Sequence, residues 1–480
     1  MLGSTHPQKL PLLLAAFSTF YLPFTFANDR QEETAHLLDV WLSYQKDAHN
    51  IPALMASIVK DNKVFWSKGV GSANLSTDIK ASADTLTNIC SNSKVVTAAA
   101  IMTLTEQGKI ELDGDVRQIL PEYTFTHKFN DKGPVTVRSL LAHTSGLPRD
   151  TDHGYWSAPN FHFPNKQELR QSLSKISTTT PVGNNVAYSN VGYALLGAII
   201  EKLSGLTYKE YVEQKIFAPL NMQNSVVEMN KATHGSIHAM GYSAEDRFKT
   251  RTPVGFFTTK AMQSAAGIST TVRDWSKFAI WQLQEQSAPA KLMSSKLKWQ
   301  MTTPQTKVQN GWSRGLGYEL QTDAQGQTWA MHGGMCPGYN SYIKLNIDKK
   351  LGFAVFTNAN RVRTAAYVKG LSNILHLSEQ GSKAAKSNLT LRDYQGFYDP
   401  FPWNSQYYIA PWQGGLVAMY LPSESLDYAL EVYQPKAKDV FARVVGNKLT
   451  SEELRFARDN SGKVTHVISG GNTHPKKSEY

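Results

Sequence analysis

Cysteine is scarce, with two residues in 480. Two thiols cannot hold a disulfide-dense scaffold. No Cys-x-x-Cys or His-Glu-x-x-His spacing marks a metal site, so no metal is expected. No phosphate-binding Gly-x-x-x-x-Gly-Lys loop occurs, and no cofactor is expected. Charge is thin as well: 19% of residues are charged, and the net +11 is spread without a basic block. Nucleic-acid binding calls for a concentrated basic stripe, so no nucleic-acid partner is expected. Internal repeats and low-complexity tracts are missing too.

A long apolar run is also lacking. The best candidate, residues 10–21, is short, contains Pro11 and is followed by Pro23, against the roughly 20 apolar residues a membrane span needs. Lys9 precedes it, and Thr25-Phe26-Ala27 offers a small-residue cleavage site before Asn28. Residues 1–27 are read as a signal peptide, which predicts a periplasmic or secreted chain with no transmembrane helix after processing.

What is present is ample core: 41% of residues are hydrophobic, and the length suits two domains. Residues 30–49 read as an amphipathic helix, and 53–60 and 64–71 as strands around Asp61-Asn62. Helices follow at 95–104, 136–146, 193–203 and 208–217. Residues 149–180 read as irregular and aromatic, and 264–284 as an Ala/Gly turn becoming a helix. Strand-like runs lie at 315–322, 327–332, 339–346 and 351–358, then a helix at 362–377. The fold class expected is α/β in the α+β sense: an antiparallel sheet flanked by helices, with an all-helical subdomain. Strands from the two ends of this domain, 28–377, share the sheet. A small polar linker, 378–389, leads to short strands over 390–480, read as a small all-β, barrel-like module.

One stretch stands out, Cys90-Ser91-Asn92-Ser93-Lys94, ahead of a run apolar all round. Such a helix belongs in an interior. Ser91 and Lys94, three apart, share a helix face. A desolvated Lys loses affinity for its proton and can take one from the Ser hydroxyl. The spacing also occurs at Ser57–Lys60, in a strand where the two side chains point apart, and at Ser172–Lys175 and Ser295–Lys298, read as exposed polar helices.

Two further elements follow in chain order: Tyr188-Ser189-Asn190 ahead of a helix, and His332-Gly333-Gly334 ending a strand. With Ser91 and Lys94 they resemble the three motifs of the serine β-lactamase and penicillin-binding protein superfamily: Ser-x-x-Lys, Tyr-x-Asn, and Lys-Thr-Gly or His-x-Gly. Flanking phrases agree, at Leu141–Leu147, Tyr188–Tyr193, Ala266–Thr270 and Phe356–Asn358. The Tyr and the His-Gly-Gly make the chain most similar to the class C branch and its D-aminopeptidase and esterase relatives. His332 stands where classical β-lactamases have Lys, a departure shared with peptidase-like and esterase-like relatives.

The resemblance implies a serine hydrolase forming an acyl-enzyme on a small-molecule or peptide substrate with an amide or ester bond. Ser91 would be the nucleophile and Lys94 the base. Tyr188 would relay the proton, its pKa lowered by positive neighbours. Asn190 would orient Lys94 and hold a substrate amide. His332 would polarise Tyr188 or, charged, attract a substrate carboxylate. The N–H groups of Ser91 and Met335 would form the oxyanion hole, and Gly333 and Gly334 would leave room for substrate. His143 is read as shaping a turn. An alternative stays open, a penicillin-binding sensor that acylates without turnover. Carbapenem-hydrolysing class A relatives carry a disulfide at the relative positions of Cys90 and Cys336, which implies a Cys90–Cys336 bridge after export.

Overall fold

The computed structural model describes residues 24–183, 185–235, 237–284, 292–380, 389–402, 406–446 and 448–477. Most of the expected signal peptide, 1–23, lies outside them; Phe24–Ala27 belong to the first helix, α1 (Phe24–Ala48). The expected linker begins inside a helix at Ser378, and its residues 381–388 lie outside the described residues.

The first eight-stranded sheet joins both ends of the main domain. Its strands are β1 (Ala53–Lys60), β2 (Lys63–Asn74), β3 (Ile79–Lys80), β4 (Trp312–Arg314), β5 (Glu319–Thr322), β6 (Thr328–Cys336), β7 (Tyr339–Asn346) and β8 (Leu351–Thr357). Their order is β3-β2-β1-β8-β7-β6-β5-β4. Asp61 and Asn62, at φ of 50° and 60°, make the left-handed hairpin turn that Asp and Asn tolerate. β1 then lies against β8, Leu54 opposite Thr357 and Lys60 opposite Leu351.

β1 is buried on both faces, and its side chains divide by parity. Ala53 and Met55 enter one core with the helices α2 (Ser93–Glu106), α3 (Asn190–Ser204) and α4 (Val272–Leu283). Leu54, Ala56 and Ile58 enter a second core with α1 and α5 (Thr364–Glu379). The Ala/Gly turn expected at the start of 264–284 holds a short helix, Gln263–Ala266, and a strand, Ile268–Thr270, before the helix expected to follow. The stretch read as irregular holds a helix, Lys166–Leu173, started by an Asn165–Glu168 capping box. The helix expected over 136–146 ends at Leu141, because His143 adopts φ +58°.

The second sheet runs as a meander of β9 (Gly396–Tyr398), β10 (Gln406–Trp412), β11 (Gly415–Leu421), β12 (Leu430–Ala437), β13 (Val440–Val445), β14 (Lys448–Arg458), β15 (Val464–Ser469) and β16 (Asn472–Pro475). The last strand returns to the first: Lys477 N–H donates to Phe397 O (2.8 Å) and Asp399 N–H to Pro475 O (3.1 Å). This gives the nearly closed barrel. Tyr407 and Ile409 of β10 point into it, while Tyr408, Ala410 and Trp412 point out into the α1–α5 core. The barrel therefore sits on the opposite face of the main sheet from α2. Among the described residues no helix is long and apolar enough to cross a membrane.

Candidate active site

The turn before α2 is sewn into two neighbours, at Ile268 and Ser341. Cys90 adopts φ +53°. Ser93 Oγ accepts from Ile268 N–H (3.0 Å), Asn92 Nδ2 donates to Ser341 Oγ (2.8 Å), and Ser341 Oγ donates to Ile89 O (2.7 Å). Ser91 stays half-buried at the surface of this turn, while Lys94 is wholly buried one turn on. Lys94 Nζ lies 3.3 Å from Ser91 Oγ, 2.8 Å from Asn190 Oδ1 and 2.8 Å from Ala265 O. Burial first, and the Arg149 cation second, push the Lys94 ammonium well below its ordinary range; the Asp150 carboxylate opposes them. A neutral amine has two N–H groups and one lone pair. Two carbonyl oxygens take the N–H groups, which leaves the lone pair for the Ser91 hydroxyl.

The other occurrences of the Ser-x-x-Lys spacing lack this setting. Lys60 leaves its strand to pair with Glu379. Lys298 corrects the expectation of an exposed helix: it is buried, with Nζ donating to Trp281 O (3.0 Å). The sequence also holds Gly-x-Ser-x-Gly at 311–315. Ser313 lies on the edge strand β4, not on the strand-to-helix turn a nucleophile elbow requires.

Tyr188 and Asn190 stand at the start of α3, and the loop 143–150 straps them down. Ser189 is the cap: its Oγ accepts from Gly192 N–H (2.9 Å) and donates to Pro148 O (2.7 Å). Asn190 is thus the first helical residue, its N–H donating to Arg149 O (2.8 Å). The Tyr188 ring is enclosed by the His143 ring (centroids 4.3 Å apart), the Arg149 guanidinium (5.0 Å) and Lys94 Nζ (4.9 Å), and its hydroxyl meets that of Ser91. Positive neighbours do not win here. Burial outweighs the Ser91 and Arg149 contributions and pushes the phenol up to about 12, so Tyr188 holds its proton. His143, which sequence reasoning set aside as a turn residue, is also a wall of the site. Ser189 N–H donates to its Nδ1 (3.0 Å), which leaves the proton on a buried, unpartnered Nε2.

The third element is the C-terminal half of β6. β5 pairs with it only from Thr328 to Met331, while β7 pairs with it as far as Cys336. Over 332–336 one edge carries no further strand among the described residues, and that edge adjoins the Ser91 turn. His332 is buried, not charged. Desolvation, then Lys94, pushes its imidazole down to about 3, and its Nδ1–H donates to Gly333 O (2.7 Å). Gly333 is exposed, as substrate room requires, but Gly334 is not. A Cβ there would lie 2.2 Å from Ile89 O, so Gly334 serves close packing of the strand on the turn. Met335 points its side chain to solvent. Cys90 and Cys336 are bridged, with Cα atoms 5.5 Å apart, which sets the next residues in, Ser91 and Met335, across one cleft. Trp156 and Phe257 pack beside the bridge, and Trp156 continues through Phe163 (5.0 Å) into an aromatic wall.

Sequence reasoning missed Asp150 altogether. Its Oδ1 accepts from Asn190 Nδ2 (2.8 Å) and from the Tyr155 hydroxyl, and Arg149 Nε lies 3.5 Å from Oδ2. One of the two Asn190 amide hydrogens is therefore committed, leaving one for a substrate amide. No group of three or more His, Cys, Asp or Glu side chains is placed to hold a metal ion among the described residues.

The chain is 26% identical over 362 residues to Protein flp of Staphylococcus aureus (strain MRSA252), covering 74% of this chain and 66% of that one. It spans about two thirds of the length of the curated relatives it matches first. A shorter match, 32% over 180 residues, covers 37% of this chain and 33% of Beta-lactamase-like protein 2 of Dictyostelium discoideum. Among solved structures, the octameric penicillin-binding protein homologue from Pyrococcus abyssi superposes with a TM-score of 0.63 at 23% identity, covering 92% of this chain and 99% of that one. A class C beta-lactamase gives 0.62 at 21% identity, covering 73% and 98%. These two show the fold. Residues 37–372 match the Beta-lactamase family model, a family that supports a serine-hydrolase type of function in general, and on that match the chain belongs to the beta-lactamase family.

Proposed function

We propose that the chain is a serine hydrolase that opens amide or ester bonds through an acyl-enzyme on Ser91. The observation that carries this is the setting of Lys94: a buried amine whose two N–H groups meet carbonyls while its third neighbour is the Ser91 hydroxyl at 3.3 Å. Lys94 takes the Ser91 proton as Oγ bonds to the substrate carbonyl carbon. The oxygen that becomes negative is received by the backbone N–H groups of Ser91 and Met335. As the bond to the leaving group breaks, Tyr188 gives that group its proton and regains one from the Lys94 ammonium. Water then repeats the sequence on the ester.

The substrate class is a D-amino-acid peptide, a small ester or a β-lactam. Neutral His332 supplies no fixed cation where classical β-lactamases have Lys, which favours the first two. Export is part of the proposal; the buried disulfide supports an oxidising compartment, and N-terminal sequencing of the mature chain should begin at Asn28. A panel of a p-nitrophenyl ester, D-alanyl p-nitroanilide and nitrocefin tests the reaction. Ser91→Ala should lose turnover by about 10⁴-fold or more with the fold intact. Turnover retained in that variant ends the reading. A persistent adduct on Ser91 by intact mass, without turnover, replaces it with the acylated sensor.

A further inference from the structure

Asn190 can serve Lys94 only if its carbonyl, and not its amide nitrogen, faces the amine. Reversed, the Asn190 NH₂ would donate to the lone pair that Ser91 needs, and the displaced Lys94 N–H would lose its acceptor. Nothing in Asn190 itself chooses between the two orientations, which are nearly identical in shape. The choice comes from its other side, where a carboxylate, an acceptor only, meets Nδ2 at 2.8 Å. That carboxylate is held in turn by the Tyr155 hydroxyl, by Arg149 Nε, and by the fixed backbone between Arg149 O and Asn190 N–H.

We propose that Asp150 is a positioning residue: through the Asn190 amide it fixes Lys94 so that the lone pair of the amine points at the Ser91 hydroxyl. The inference rests on the serine-hydrolase reading of the site. Tyr155, from the aromatic stretch after the loop, is the brace of the same chain, Tyr155–Asp150–Asn190–Lys94–Ser91. Asp150 also acts through its charge. Lys94 is faced by Arg149 and Asp150 from the loop, by His143 behind Tyr188, by His332 from β6, and by the rings of Tyr188 and Tyr193. Of the charged groups among these only Asp150 carries a negative charge, and it is the one coulombic neighbour that favours the ammonium.

Asp150→Asn tests both parts. An Asn at 150 offers Asn190 a carbonyl and an amide alike, so it stops selecting one orientation, and it removes the negative charge. The expected result is a fall in kcat of roughly ten- to a hundredfold with KM within about threefold of wild type. The acid limb of the pH profile of kcat/KM should move to lower pH, because Lys94 loses the neighbour that held its proton. Asp150→Glu should restore part of kcat and return the limb toward wild type. A folded Asp150→Asn protein whose limb stays where it was overturns the proposal, whatever its kcat. Should that variant fail to fold, Tyr155→Phe carries the test, and wild-type kcat there overturns it. If wild-type protein is neither acylated by a fluorophosphonate nor active on the panel, the hydrolase reading fails by itself. Titration of Lys94 by ¹³Cε NMR in wild type and Asp150→Asn then decides the role of Asp150, an unchanged titration overturning it.

Discussion

Two eight-stranded sheets stand among the described residues, and they treat their edges in opposite ways. The barrel is a meander whose last strand hydrogen-bonds to its first, so its backbone is spent on itself. The main sheet is open, and β6 outruns β5 by five residues, 332–336. All of the proposed chemistry gathers at that short unpaired edge. A free edge is ordinarily a liability that proteins cover or blunt. Here the Ser91 turn, pinned by a disulfide, stands opposite it. The closed sheet instead lends its outer face to the α1–α5 core, on the far side from Ser91. One sheet leaves an edge open beside Ser91, and the other pairs its first strand with its last.

The strongest way to break that contrast is to cut the pin. The chain-entropy model gives a loop closed by residues 246 apart an upper figure of about 5 kcal/mol. Cys90→Ser with Cys336→Ser should lower the melting temperature of the main domain and also slow acylation, since Ser91 and Met335 each neighbour a bridged cysteine. Trp412→Ala should separate the two effects. Trp412 fills the core between barrel and α1, and its loss should cost about 3–5 kcal/mol by denaturant unfolding while kcat/KM of the folded protein stays at wild type. A matched pair of glycines sharpens the comparison further. A Cβ at Gly334 would meet Ile89 O at 2.2 Å, and one at Gly415 would meet Tyr433 O at 2.1 Å. Each Gly→Ala should cost roughly 1–3 kcal/mol. Only Gly334→Ala should also reduce activity, because it pushes β6 off the Ser91 turn.

How much of this could be read in advance follows the same division. The α2 helix was legible because it is apolar all round, and the alternation of short strands announced the barrel. Ser91, Lys94, Tyr188 and His332 were legible as an ordered set of motifs. Their electrostatics were not. Counting positive neighbours suggested an acidified Tyr188, but burial is a property of the packed site and it reversed that expectation; for His332 the charged form was one of two alternatives, and burial together with Lys94 removes it. Asp150 and Tyr155 were hidden for a related reason. They act through Asn190, forty residues and thirty-five residues further along, and no local spacing marks such a contact. The helix at Lys166–Leu173 is different: its Asn165-x-x-Glu168 box was present in the sequence and was passed over among the aromatics.

The effect that is smallest at neutral pH concerns acid. His332 has a folded pKa of about 3 against an unfolded value near 6.5. Its pKa is depressed, so below about 6.5 the unfolded chain binds a proton that the folded chain does not. Stability is then lost as pH falls, at about 1.4 kcal/mol per pH unit for this group, until the folded imidazole is protonated near 3. His143 and His238 are buried and depressed in the same direction, whereas His474, in the barrel, is depressed with less burial. Acid should therefore unfold the main domain before the barrel, seen as loss of hydrogen-exchange protection in β1 and α2 ahead of loss in the barrel strands. His332→Gln should flatten the dependence of unfolding free energy on pH between about 6 and 4 by the contribution of one group, and leave the value at pH 7.5 nearly unchanged. An unaltered slope would mean that another buried histidine sets the acid limit. The acid limit of the main domain would then fall to His143, on the far side of Tyr188, or to His238.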